Sequence, residues 1–476
     1  MIKLKVGLVG LMQPNFRGNK ELEYNNSILE LEKLSQKLNF DLYTIKKGIT
    51  TPEEAENAKN EIEENEVDFL LIQNTSIASG KIIQTLALTN ADIGLWAIPE
   101  STKTGPLPLN SFCGMNLNKS IIDRYMTEHK IKAKWFYGKT DNKMFIERFK
   151  ITIKALTTKK NLKNSKILLI GDIAPGFDNF HFNESDIKKK FGVTIERVPF
   201  ETIKNKILSY KDEEVTDILE KIKKRAVSID ELALKALIKT AKLVKAMLEL
   251  QKEGNYSGFA SRCWPDFRTE LNMVPCAAFA YINDLGYPVT GEGDVTGIVS
   301  MLTLKYIANF VPTIMDLSDI DESDETVFLW HCGIGSKHYA KNGEITLEKH
   351  FNPGPKDPEK GWLEMGAVSS MIFEEQPATV LRFTNENKEF MLLTGDFVNS
   401  EKNSFDGSRG WFGNLKMNDE KITVKTLINS ILTNGFEHHF PLVKGNYNDE
   451  IMELGTWLDI KPLKIYEYKN YFQNKE

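Results

Sequence analysis

Val67-Asp68-Phe69-Leu70-Leu71-Ile72-Gln73-Asn74-Thr75-Ser76 is a mostly apolar run over 67–73 that stops at polar Asn74-Thr75-Ser76. It reads as a strand feeding a loop. Its neighbours on either side decide what kind of sheet it joins. Residues 52–65 before it read as a helix, and 41–45 as a strand. Residues 22–38 have helical spacing, with Ile28, Leu31, Leu34 and Leu38 near one face. Residues 6–11 form a buried-strand pattern, and 93–98 form another short strand. Strands alternating with helices predict a parallel α/β sheet. In such sheets the loops at the C-terminal strand ends carry ligands.

Lys159-Lys160-Asn161-Leu162-Lys163-Asn164-Ser165 is a polar linker. A second α/β unit opens with the strand 166–171 and returns to a strand at 191–195. Ser228-Ile229-Asp230-Glu231 reads as a capping box for a helix running to about 252. A strand at 258–260 and a helix at 276–285 follow. From about 312 the texture changes. Residues 326–330, 378–383, 389–394 and 421–424 read as strands between Asn, Asp, Gly and Pro turns, with helices at 426–433 and 451–458. The expected fold is α/β: two parallel-sheet α/β domains followed by a β-rich, barrel-like C-terminal domain. The expected boundaries are 1–163, 164–310 and 311–476.

Composition narrows the function. A chain of 476 residues is too long for one core. With 41% hydrophobic and 27% charged residues it reads as an ordinary globular protein. A net charge of -5 argues against nucleic acid or an anionic membrane as main partner. No apolar run reaches the ~18 residues a membrane span needs. The N-terminus reads as a first strand rather than a signal peptide. Cys113, Cys263, Cys276 and Cys332 are widely spaced without a CxxC, which fits a reducing cytoplasm. Gly7-Leu8-Val9-Gly10 lacks dinucleotide-fingerprint spacing, and neither a P-loop lysine nor a GxSxG is present. There is no solenoid-period repeat.

The chemistry-bearing positions are few. Gly291-Glu292-Gly293-Asp294-Val295-Thr296-Gly297 lies between apolar segments 276–285 and 298–307, where core packing does not explain a carboxylate. Asp294 before an apolar helix suits N-capping; for Glu292 a functional role is the better reading. Asp316 ends the largely apolar run 307–315, as a carboxylate at a strand's C-terminal end would; a solvated loop with Asp319, Asp321 and Glu322 is the plain alternative. His438-His439 is a tandem pair among seven histidines. Adjacent histidines point apart, so one at most would bind a metal. His331 follows the strand 326–330, with a satisfied core histidine as the plain alternative. Arg262 and Trp264, after the strand 258–260, could line a polar pocket or simply pack a loop.

Two carboxylates and a histidine suit a hard or borderline divalent cation such as Mn²⁺, with positions left for substrate oxygens. Such a cation polarises a hydroxy-aldehyde carbonyl and stabilises an ene-diolate. A carboxylate that moves a proton from C2 to C1 then completes an aldose–ketose isomerisation.

Over most of its length the chain resembles the L-fucose/L-arabinose isomerase family. Gly291-Glu292-Gly293-Asp294 looks like the arabinose-isomerase form of the family's acidic turn. The helix 297–304 and the three-ligand set look more like fucose isomerases. The resemblance implies Glu292, Asp316 and His439 as metal ligands, with Glu292 and Asp316 as the acid–base pair. It places His331 near an additional histidine of arabinose isomerases. Arg17, Arg262, Trp264, His331, Trp411 and His438 then fall near substrate-binding segments. The chain is shorter than fucose isomerases, as relatives acting on other sugars are. The leading substrates are thus a 6-deoxyhexose of the L-fucose type or the 6-deoxy-6-sulfohexose sulfoquinovose. Arg17, Arg262 and Arg409 could face a sulfonate. The family implies a homo-oligomer with shared sites. A non-catalytic sugar-binding or regulatory protein and a metal-dependent lyase or aldolase are the competing readings.

Overall fold

The computed structural model describes residues 1–352, 356–358, 361–362, 365–384 and 386–475. The chain divides into two units, Met1–Lys160 and Asn161–Glu476.

In the first unit five parallel strands lie in the order Asp41–Thr44, Lys5–Leu11, Phe69–Asn74, Asp92–Ala97, Ala133–Tyr137. Every residue of Phe69–Asn74 is buried, as expected for a central strand covered on both faces. The helix Pro52–Glu64 starts where its sequence dictates. Thr51 and Glu54 form a reciprocal capping box, and Pro52 occupies the first turn, where a missing N–H costs nothing. This strand order reverses between Lys5–Leu11 and Phe69–Asn74, which opens a crevice at their C-terminal ends. Arg17 is exposed on the loop leaving Lys5–Leu11.

Among its described residues the second unit holds two main sheets, besides a two-stranded pairing of Lys356–Asp357 with Gly361–Trp362. A parallel sheet runs Val289–Thr290, Gly258–Ser261, Lys166–Ile170, Thr194–Val198. Beyond it, six antiparallel strands close on themselves. Pro377–Phe383 pairs with Glu389–Val398 and with His439–Lys444. His439–Lys444 pairs with Thr313–Asp321, which pairs with Thr326–His331. Thr326–His331 pairs with Ser408–Met417, and Ser408–Met417 returns to Glu389–Val398. Closure leaves the ring no open edge. Met315, Val327, Leu329, Val380, Leu393, Phe412, Phe440 and Leu442 fill its core. Gly366–Ile372 and Thr346–Lys349 extend the sheet outside the ring.

The helix Val295–Ala308 packs between the parallel sheet and the ring, against Gly258–Ser261 on one side and against Pro377–Phe383 and His439–Lys444 on the other. It is buried nearly throughout, which is why its sequence is apolar all round.

Some local expectations change. Asp230, not Ser228, caps Glu231–Gly254, because Ser228–Ile229 is taken into a strand pairing with Thr346 and Leu347. Residues 421–424 are no strand of their own: Glu420–Lys421 is a short pairing and Val424–Asn434 is already helix. Asp316 lies inside Thr313–Asp321 rather than at its end. A bulge between Leu317 and Asp319 lets that strand continue into polar sequence. No helix among the described residues is long and apolar enough to cross a membrane.

Candidate active site

Three loops meet at the C-terminal edge of the parallel sheet in the second unit. The acidic turn follows Val289–Thr290. Its Gly293 N–H donates to Ser261 O at 3.1 Å, and its Glu292 carbonyl accepts from Ala174 N–H at 2.9 Å. The Glu292 N–H points at Cys263 Sγ, 3.3 Å away. Gly293 has φ +78°, and a Cβ there would sit 2.6 Å from Asp172 O, so only glycine fits. Glu292 itself has φ +61°, a conformation a glutamate rarely adopts. The turn holds that strain while aiming the carboxylate at the ring.

From the ring come Asp316, His331 and His439. Asp316 and His439 face each other across adjacent strands, and His331 ends the next strand. His439 Nε2 lies 3.5 Å from Glu292 Oε2 and 3.9 Å from Asp316 Oδ1. It belongs to two clusters of candidate ligands, Glu292–His438–His439 and Asp316–His331–His439; within each, the ligand atoms lie within 4.8 Å of one another.

Asp294 is what aims His439. Its Oδ1 caps the buried helix by accepting Gly297 N–H at 2.8 Å. Its Oδ2 accepts from His439 Nδ1 at 2.8 Å and pairs with Arg382 Nη1. Asp294 and Arg382 are both fully buried. Burial raises the Asp294 carboxyl, but Arg382 and His439 outweigh it and hold it well below the usual range. A carboxylate only accepts, so Nδ1 carries the hydrogen and the Nε2 lone pair faces Glu292 and Asp316. This is the carboxylate–histidine arrangement that orients metal-binding imidazoles. Phe180 stacks on His439 with centroids 4.6 Å apart and fixes the ring plane.

The other histidines are committed differently. Asn179 Nδ2 lies 3.2 Å from His438 Nδ1, and His438 Nε2 lies 3.2 Å from Glu292 Oε2. The amide donates to Nδ1, so Nε2–H donates to Glu292. His331 Nδ1 accepts Cys332 N–H at 2.9 Å, which leaves Nε2–H as a buried donor without a protein acceptor among the described residues. Burial raises the Glu292 carboxyl, but the hydrogen bond from His438 and the electrostatic pull of the His439, His438 and His331 rings prevail and keep it below the ordinary glutamate value.

The substrate-side candidates divide. Arg262 and Trp264 flank Cys263, against the acidic turn; Arg262 is tied to Asp266, and the Arg268 guanidinium lies 4.5 Å over Trp264. Trp411 pairs with Phe328 and packs under Lys402, 3.7 Å away, while Arg409 bonds Ser370 and Ser404. Neither touches the histidine cluster. Arg17 belongs to the first unit.

Sequence reasoning missed Arg382, Phe180, Asn179 and the second role of Asp294. Arg382 alone carried a signal, a cation inside the apolar run 378–383.

The residues fit a divalent cation. Asp316 Oδ1 is buried with no hydrogen-bond partner among the described residues, a costly state that a cation relieves. Either cluster that contains His439 could hold a metal ion.

No family model matches the chain. A sulfoquinovose isomerase of Priestia aryabhattai is 25% identical over 423 residues, 88% of this chain and 90% of that protein. The Priestia megaterium sulfoquinovose isomerase gives the same figures. That of Alkalicoccus urumqiensis is 23% identical over 84% of this chain and 86% of its own length. Among solved structures, an ABC transporter periplasmic solute binding protein from Actinobacillus succinogenes 130z with bound D-allose aligns at a TM-score of 0.17 and 11% identity, covering 64% of this chain and 92% of that one. That score is too low to bear on the fold. Similarity over 84–88% of its length makes the chain a distant homologue of the sulfoquinovose isomerases.

Proposed function

We propose that the protein is a metal-dependent aldose–ketose isomerase, with sulfoquinovose, converted to 6-deoxy-6-sulfofructose, as leading substrate and an L-fucose-type 6-deoxyhexose as second. The observation that carries the reading is His439, held by Asp294 so that its free nitrogen faces both Glu292 and Asp316. Coverage of about nine-tenths of proteins named for sulfoquinovose supports the substrate class.

Glu292, Asp316 and His439 would hold a divalent cation such as Mn²⁺. When bound, it supplies Lewis-acid polarisation of the sugar carbonyl and neutralises charge that develops on the adjacent oxygens. The chain's own part is proton transfer. Glu292, kept ionised by its histidine neighbours, would accept the C2 proton; that proton, or one exchanged with solvent, would pass to Asp316, which returns it to C1. His331 offers Nε2–H to a substrate oxygen. Arg262 and Trp264 stand beside the turn as candidates for the sugar's far end, and His438 is held as a further substrate contact. A homo-oligomer that shares its sites completes the proposal.

The test is a panel of L-fucose, D-arabinose, L-arabinose and sulfoquinovose, given to chelated protein with and without restored Mn²⁺. Ketose from sulfoquinovose or L-fucose only with metal supports the reading. Failure of every sugar with metal restored removes it.

A further inference from the structure

A second group of ligating side chains lies one residue along the chain from His331. Cys276 Sγ and Cys332 Sγ are 3.5 Å apart, and a ring nitrogen of His350 completes a set whose atoms all lie within 4.8 Å of one another. Cys276 and His350 are both 7% exposed. The pocket wall is apolar, built by Val274, Met365 and Val368.

We infer that Cys276, Cys332 and His350 form a second metal site, selective for a thiophilic divalent cation of the Zn²⁺ class and distinct from the oxygen-rich site at Glu292. Two sulfurs on one tetrahedral cation, at about 2.3 Å each, stand roughly 3.8 Å apart. The observed 3.5 Å is close to that. A disulfide needs about 2.05 Å, so the sulfurs would have to close by roughly another 1.5 Å. Two thiolates and an imidazole are a soft donor set, whereas Glu292 and Asp316 are hard, so the two sites select different ions. Cys263 does not join, because its sulfur faces the Glu292 N–H. Binding displaces the two thiol protons to solvent and forms two metal–sulfur bonds and one metal–nitrogen bond, with the fourth position left to water. Arg268 Nη2, 3.0 Å from His350 Nδ1, adds a positive charge beside the thiolates. Cys332 Sγ lies 3.2 Å from His331 Nδ1, so a cation that fixes this sulfur also fixes the environment of His331.

The test is Co²⁺ titration of the full chain with excess Mn²⁺ present to fill the hard site. Wild type and Glu292→Gln are both expected to give thiolate-to-cobalt charge transfer and tetrahedral d–d bands saturating at one equivalent, reversed by Zn²⁺. Cys276→Ser and Cys276→Ala are expected to lose the charge-transfer band at least fivefold, with far-UV circular dichroism unchanged. Absence of the band in wild type overturns the site, whatever the variants do. A band that persists in a folded Cys276 variant overturns it as well. Isomerase activity plays no part in this readout, so failure here leaves the isomerase reading standing, and the reverse.

Discussion

Replacing Asp294 with asparagine separates the two roles that one buried carboxylate combines. Asparagine is as good an N-cap as aspartate, so Oδ1 can still accept Gly297 N–H and the helix start loses little. The other oxygen becomes an NH₂ aimed at two donors, Arg382 Nη1 and His439 Nδ1–H. Arg382, fully buried, loses its ion pair with Asp294. Removing one partner of a buried pair costs about 3–5 kcal/mol. His439 can accept from the new NH₂ only by moving its hydrogen to Nε2, which removes the lone pair that faces Glu292 and Asp316. Loss of such a supporting partner typically costs about 10–100-fold in metal affinity, or about 1.4–2.8 kcal/mol. The double variant Asp294→Asn/Arg382→Met removes both charges and is expected to recover most of the stability but none of the affinity. Mn²⁺ calorimetry on chelated protein, with thermal unfolding in parallel, reads both. A folded Asp294→Asn protein whose Mn²⁺ affinity stays within about threefold of wild type would refute the orienting role.

Glu292→Gln keeps the shape of the turn but removes the proton acceptor. We expect kcat to fall at least about 10²–10⁴-fold, the usual worth of a general base, with the unfolding temperature little changed; retained turnover removes Glu292 from the mechanism. Phe180→Ala strips the ring that stacks on His439 and lies tilted against His438. Truncating a fully buried phenylalanine costs about 3–5 kcal/mol, and Mn²⁺ affinity should fall with it; an unchanged urea midpoint would contradict this packing. In the first unit, Glu54 is held at a pKa of about 2 by the hydrogen bonds it accepts from Lys47 and Thr50. Because its folded value is depressed, the stability it contributes is present above its ordinary value of 4.5 and is lost as pH falls through about 2. Glu54→Gln should therefore lower stability at neutral pH and flatten the acid limb of the unfolding profile; parallel acid limbs would count against it.

The first unit was largely legible because its signal is local. Apolar runs such as 67–73 and the Thr51-Pro52-Glu53-Glu54 start specify strand and helix without distant help. The acidic turn stood out for the same reason: a carboxylate between two buried segments has no packing role. The ring was legible only in part, since its closure joins Glu389–Val398 to Ser408–Met417, and the latter mixes Ser, Arg, Gly, Asn and Lys with its apolar positions. Asp316 reads as ending its strand because it closes the largely apolar run 307–315; a bulge, invisible in sequence, carries the strand on. Asp294 looked like a cap, and it is one. That its second oxygen meets His439, 145 positions later, depends on a helix packed between two sheets, which no local pattern reports.

Glu292 and Asp316 are the residues we propose to carry a proton between C2 and C1 of an aldose, at the site that with His439 would hold the divalent cation. The most direct measurement runs the reaction in D₂O with Mn²⁺ restored after chelation and reads the ketose by NMR. Ketose is expected from sulfoquinovose or L-fucose with solvent deuterium at C1, formed only with metal and lost in Glu292→Gln. Ketose that forms without metal and keeps the C2 hydrogen wholly at C1 would contradict it, as would no ketose from any sugar of the panel.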